Sequence, residues 1–195
     1  MNFLAHAYLS GNSTKLLVGN FIGDFVKGKQ YRNLEEEVAQ GVLLHRAIDD
    51  FTDQHPVVGQ SKAKLREKYR HYAGVIVDMA YDHFLASNWS RYHSQGLLEY
   101  TKKVYAIIED HNPILPGRME TMLHYMKQDN WLYQYATLEG IDQALTGMSR
   151  RTKFDSKMDE AVIDIENHYQ DLKAEFETFL PDAVKFAKEQ GVAWH

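Results

Sequence analysis

Gly41-Val42-Leu43-Leu44-His45-Arg46-Ala47-Ile48-Asp49-Asp50-Phe51-Thr52-Asp53-Gln54-His55-Pro56 sets a histidine and a carboxylate four residues apart, at His45 and Asp49, and continues the row at Asp53. On an α-helix these three ligand-type side chains share one face. Pro56 ends such a helix, because the residue before a proline is pushed out of the α region. A second stretch, Val75 to Phe84, repeats the spacing with Asp78 and Asp82, sets His83 beside them and is apolar on its other faces. Carboxylates on two otherwise apolar helices must find partners or carry the cost of desolvation. A divalent cation between the two helices is one such partner.

The 195 residues suit one domain spanning 1–195, since a chain of this length buries roughly two-thirds of its unfolded surface. Twelve Tyr, nine Phe and three Trp supply large core pieces, whereas four Pro and twelve Gly leave little for the turns of an all-β fold. The absence of cysteine excludes a disulfide framework, a thiolate-ligated zinc and a thiol nucleophile. The first residues have no cationic leader and are interrupted by His6, so they do not read as a signal peptide. No apolar run approaches the ~20 residues of a membrane span, and the expectation is a soluble cytoplasmic protein. A net charge of -5 argues against general nucleic-acid binding.

Along the chain the apolar residues recur at helical spacing almost everywhere, which predicts an all-α domain. Helices are expected over 2–10, 14–25, 34–53, 60–69, 73–88, 96–111, 116–128 and 137–148, with Asn112 to Pro116 as a helix-to-helix turn. A further helix is expected from Met158 to Phe179, bent or broken at Pro181 and resuming over 182–190. Asn20 and Asp24 repeat the four-residue spacing in the second of these segments. No repeat, low-complexity tract or linker divides the chain.

His6, Asp24, His45, Asp49, Asp53, Asp78, Asp82 and His83 are the candidate ligands, all imidazole or carboxylate. Mixed nitrogen and oxygen donors suit Mn²⁺, Fe²⁺, Zn²⁺ or Mg²⁺, and such an ion would polarise a phosphoryl oxygen and lower the pKa of a bound water. No Gly-x-Ser-x-Gly elbow, phosphate-cradling loop or dinucleotide fingerprint competes with that reading. Taken singly, Asp24, Asp49 and Asp53 read first as solvated or capping residues, with Arg46 pairing a carboxylate on an adjacent turn; the set reads as a polar site because Asp78 and Asp82 lie in the most apolar segment and two helices share the spacing. His55 reads as a helix-end residue.

Four separated motifs carry a resemblance: Asn2-Phe3-Leu4-Ala5-His6; Gly19-Asn20-Phe21-Ile22-Gly23-Asp24-Phe25; Leu44 to Asp49 with Phe51 to Pro56; and Asp78-Met79-Ala80-Tyr81-Asp82-His83-Phe84-Leu85-Ala86. Together they resemble the acyl carrier protein phosphodiesterase family. The resemblance implies an all-helical fold distantly related to the HD phosphohydrolases and a manganese-type divalent metal. It also implies hydrolysis of the phosphodiester that joins 4'-phosphopantetheine to a serine of holo-acyl carrier protein. The chain lacks the adjacent His-Asp pair of HD enzymes, having only the reversed Asp82-His83, so the ligands follow from spacing: His45, Asp49, Asp78 and Asp82, with His6 and Asp24 as further members. In the implied mechanism Arg46 or the metal holds developing charge, and Asp53 or His83 protonates the departing serine oxygen. A small nucleotide or other phosphodiester as substrate, and a non-catalytic helical binding protein, are the rival readings.

The expected partner is acidic, so this acidic chain needs a local positive surface to receive it. Lys62, Lys64, Arg66, Lys68 and Arg70 are the densest candidate, although lysine and arginine stems flanking an apolar stripe commonly just cover the core. Arg150, Arg151 and Lys153 come next.

Overall fold

The computed structural model describes residues 1–111, 114–115 and 117–194 and, at Arg118, the backbone alone. The described residues form helices α1 (Phe3–Tyr8), α2 (Thr14–Phe21), α3 (Glu36–Gln54), α4 (Pro56–Tyr69), α5 (Ala73–Ser87) and α6 (Leu97–Asp110). The chain continues through α7 (Gly117–Gln128), α8 (Trp131–Gln134), α9 (Leu138–Ser149), α10 (Ala161–Asn167) and α11 (Tyr169–Glu189), with no strand among the described residues. The all-α expectation holds. Asn112, Pro113 and Pro116 of the expected turn, and His195, lie outside the described residues.

Helix α5 is the centre. Ile76, Val77, Met79, Ala80, Tyr81, Phe84 and Leu85 are fully buried, and α1, α4, α9 and α11 pack around it. A helix apolar on nearly all sides has to be wrapped by others, each presenting one apolar stripe. From α1 that stripe is Leu4, Ala5 and Ala7, and from α11 it is Leu172, Phe176, Phe179, Leu180 and Ala183.

Three boundaries differ from the sequence expectation, each for a physical reason. Pro56 ends α3 and also opens α4 as its first residue, since a proline at that position gives up a backbone N–H that has no helical partner anyway. Helix α2, capped by Ser13 accepting from the Leu16 N–H at 3.1 Å, stops at Phe21 rather than Phe25, and a 3₁₀ turn covers Gly23–Phe25. The expected helix from Met158 to Phe179 divides at His168, and α11 then runs unbroken through Pro181. The buried stripe from Phe179 to Ala183 straddles that proline, so packing against α3, α4 and α5 outweighs one missing hydrogen bond.

The closest helix pair is α2 with α3. A methyl built on Gly19 would meet the Val38 carbonyl oxygen at 2.0 Å, and one built on Gly41 would meet the Leu16 carbonyl oxygen at 2.4 Å. Only glycine permits this contact of main chain on main chain. One turn beyond Gly41 stands His45, so the crossing that needs the two glycines delivers that ring to Asn20 and Gly23.

Candidate functional site

Three elements meet at four side chains: His6 from α1, Asp24 from the turn after α2, and His45 and Asp49 from α3. The His6 and His45 rings stack with centroids 4.0 Å apart, both buried. His6 Nε2 lies 3.1 Å from Asp49 Oδ1, His45 Nε2 lies 3.1 Å from Asp49 Oδ2, and Asp24 Oδ1 is 3.4 Å from the same His45 nitrogen. The Asp24 side chain is 69% exposed and that of Asp49 40%, so the cluster has a buried imidazole floor and a solvent-facing carboxylate rim. Gly23 makes room for it: a methyl there would sit 2.2 Å from Cγ of His45.

The protons are set by Asn20, which is fully buried. Its side-chain amide donates to the His6 carbonyl at 2.9 Å and to Ser10 Oγ at 3.0 Å. Its Oδ1 therefore faces His6 Nδ1, 2.7 Å away, and that ring nitrogen is the donor. The Asn20 backbone carbonyl likewise accepts from His45 Nδ1 at 2.8 Å. A neutral ring protonated on Nδ1 carries a lone pair on Nε2, so two lone pairs confront the Asp49 carboxylate. A positive charge has to lie between them.

In the protein alone that charge is a proton on His45. Burial favours the neutral ring, yet Asp24 and Asp49 outweigh it and push the His45 pKa up to about 9. His6 goes the other way: burial lowers its pKa, the neighbouring His45 charge adds to the effect, and the bond to Asp49 only opposes it. Burial would raise Asp49, but its bonds to His45 and His6 hold it well below the usual carboxylate range. Asp24 is lowered chiefly by its interaction with His45. The Nε2 atom of His45 remains buried without a hydrogen bond of good geometry, despite two carboxylates within ion-pair distance.

This arrangement fits a divalent cation. Among the described residues, His6, His45 and Asp49 are the group whose ligand atoms all lie within 4.8 Å of one another. Ligands bound at about 2.0–2.2 Å to one ion stand roughly 3 Å from each other, and each Nε2 lies 3.1 Å from an Asp49 oxygen. The Nδ1–H groups held by Asn20 are the outer hydrogen bonds that orient metal-ligating histidines.

The other expected site residues are engaged elsewhere. Asp82 is buried beneath the N-terminus of α1, accepting the backbone N–H groups of Asn2, Leu4 and Ala5 at 3.3, 2.9 and 3.2 Å. It supplies the anion that a helix start attracts, and burial pushes its pKa up to about 7 against those bonds. Asp78 accepts from the Met1 ammonium at 2.8 Å. The α5 row thus pins α1 in position rather than joining the cluster. Arg46 donates to the Val26 carbonyl at 2.8 Å and lies over the Tyr31 ring. Asp53 pairs with Lys62 at 2.6 Å on the surface. His83 is held between the Tyr135 carbonyl at 2.9 Å and the Tyr169 hydroxyl at 3.0 Å, and burial lowers its pKa. Asn20 was not among the expected site residues; its signal was the four-residue spacing to Asp24 inside an apolar segment.

A cleft of about 680 Å³ opens between α1 and helices α7–α9. Phe3, one turn before His6 on α1, forms part of its wall, with Met122, Trp131 and Met148, while Gln134 and Gln143 supply amides. Its size is that of a small-molecule site.

The family model for acyl carrier protein phosphodiesterase matches residues 1–183 of the chain. The acyl carrier protein phosphodiesterase of Yersinia enterocolitica serotype O:8 is 32% identical over 98% of this chain and 100% of its own length. That of Serratia proteamaculans is 32% identical over 97% of this chain and 99% of its own length, and that of Photorhabdus laumondii 34% over 97% and 96%. No solved structure matches the chain. No helix among the described residues is long and apolar enough to cross a membrane.

Proposed function

The chain belongs to the acyl carrier protein phosphodiesterase family, and from that premise we propose that it hydrolyses the phosphodiester of holo-acyl carrier protein with a divalent metal, Mn²⁺ being the first candidate, held by His6, His45 and Asp49. Water adds to phosphorus and the bond to the serine oxygen breaks, leaving the serine hydroxyl of the apo-carrier and free 4'-phosphopantetheine. The observation that carries the reading is the pair of Nε2 atoms, both turned by the bonds of Asn20 to Nδ1 so that they converge on one carboxylate. A bound metal supplies Lewis acidity toward a phosphoryl oxygen and an acidified water.

The chain's own residues do the positioning. Asn20 fixes both ring orientations, and Gly23 leaves His45 its space. Asp24, exposed beside His45, is the fourth donor at the rim. The cleft that begins at Phe3 is where we seat the pantetheine arm, its amides facing Gln134 and Gln143 and its methylenes the methionine and aromatic walls.

The test is incubation of the metal-loaded protein with holo-acyl carrier protein, read by intact mass for loss of the arm. Loss that depends on added Mn²⁺ and stops with chelation supports the reading. Cleavage of a small nucleotide diester with the carrier untouched would move the substrate to the small-molecule class, and no bound metal with no cleavage leaves a binding protein.

A further inference from the structure

We propose that the carrier protein docks on the cationic loop Lys27–Arg32, which borders the cluster at Asp24; the inference rests on the functional reading above. The scissile phosphorus is attached to a serine oxygen of the carrier, so only one short side chain separates the reacting atoms from the carrier's own surface. The docking surface must therefore adjoin the cluster itself, whereas the arm leads away from it. Asp24 is followed within eight residues by Lys27, Lys29 and Arg32, all exposed. None of the three forms an ion pair among the described residues.

The loop is held in place rather than loose. Lys27 Nζ donates to the Asp24 carbonyl at 2.6 Å, the Lys27 N–H to Gln30 Oε1 at 3.0 Å, and a 3₁₀ turn covers Gln30–Asn33. Arg46, the neighbour of His45, ties it to α3 through Val26 and Tyr31. Of the acids that follow, Glu35 pairs with Lys15 and Glu37 accepts from the Ser13 hydroxyl, while Glu36 is exposed. An acidic chain of net charge -5 thus presents three cations, held in place and outside any ion pair among the described residues, at the one rim where an acidic partner has to arrive.

In the denser basic row of Lys62, Lys64, Arg66, Lys68 and Arg70, the three lysines are neutralised within the fold. Lys62 pairs with Asp53 at 2.6 Å, Lys64 with Glu175, and Lys68 with Asp164 at 2.8 Å and Glu160 at 3.0 Å. These lysines tie α4 to α3, α10 and α11. Arg150, Arg151 and Lys153 are exposed and unpaired among the described residues, but they reach the site only through the cleft wall, at Arg151. A carrier seated there would be on the arm's side of the phosphorus.

The test uses the full chain and a fluorescently labelled apo-carrier protein, so that binding is read by anisotropy without turnover. Lys27→Glu/Lys29→Glu/Arg32→Glu should weaken binding about tenfold or more and flatten its salt dependence, because three favourable long-range charges become unfavourable. Arg150→Glu/Lys153→Glu should bind as wild type does. On holo-carrier protein the first variant should show the loss in KM, with kcat at saturation within about twofold. Equal binding by the triple variant and wild type overturns the proposal, as does a loss confined to the Arg150/Lys153 variant, or no binding by wild type at low salt. Failure of wild type to release the arm while it still binds the carrier through this loop overturns the catalytic reading alone.

Discussion

Helices α3 and α5 carry the same device, two polar side chains four residues apart on an otherwise apolar face, and the fold gives them opposite tasks. His45 and Asp49 meet a second imidazole and a rim open to water. Asp78 and Asp82 meet the first residues of the chain, the one taking the Met1 ammonium and the other three backbone N–H groups of α1. A carboxylate whose oxygens are filled by main-chain donors is a structural anchor, and one shared by two buried ring nitrogens holds a positive charge between them. Spacing establishes the common face, and what packs against that face decides the chemistry.

The contrast breaks most decisively at Asp49. Asp49→Asn should lower metal-dependent hydrolysis about a thousandfold or more, the scale of losing a group from a site that acts as a unit, and should abolish metal uptake in an equilibrium dialysis assay while the urea midpoint stays close to wild type. Normal activity in this variant would place the site elsewhere. Asp82→Ala should do the reverse, lowering stability by roughly 3 kcal/mol as buried N–H groups lose their acceptor. Equilibrium urea unfolding checks it, and an unchanged midpoint with lost metal would move Asp82 into the site. Asn20→Ala should leave His6 free to rotate and cost about 10–100-fold in metal affinity or activity, read by the same dialysis.

Protonation sharpens the comparison further. The folded pKa of His45, about 9, exceeds that of an unfolded histidine near 6.5. Its contribution to the stability of the metal-free protein is therefore fully present below about pH 6.5 and lost as pH rises through about 9. A metal must displace that proton, so affinity should rise about tenfold per pH unit up to about 9, and calorimetry in two buffers at pH 7.5 should detect release of about one proton. No proton release would mean that His45 is not a ligand. Asp82, pushed up to about 7, makes the folded state bind a proton more tightly than the unfolded chain does, so its effect on stability falls away as pH rises through about 7. The smallest effect is expected at Asp53, whose partner is a surface lysine. Asp53→Asn should keep activity within about twofold and stability within about 1 kcal/mol, and a large loss of kcat would restore it to the catalytic group.

Much of this was legible before any coordinates. Helical periodicity identified most of the helices, and the pairing of His45 with Asp49, with His6 and Asp24 as further members, followed from residue type and spacing. The partners of Asp78 and Asp82 were not legible, because a periodic pattern says that two carboxylates face inward and says nothing of whether a cation or a helix start lies opposite. Arg46 sits beside His45 in sequence, but adjacent helical residues diverge by about 100°, and it serves the Val26–Tyr31 loop instead. Asn20 escaped because a buried amide has no charge to flag it, and its use of side chain and backbone on two different rings exists only once α1, α2 and α3 have met. Pro56 and Pro181 show the same limit: the missing N–H is certain from sequence, whereas the packing that decides its consequence is not.

The contact of Gly19 on Gly41 has a consequence for mechanics. Most helix pairs are spaced by side chains, which can hop between rotamers and let the axes drift. Here the spacer is the main chain itself, with atoms already at contact distance and no torsion left to relax. The gap between α2 and α3 therefore acts as a gauge of fixed thickness, and the distance from the Asn20 carbonyl to the His45 ring inherits its tolerance. Pressure and moderate heating should leave the width of the site unchanged until the domain unfolds as a whole.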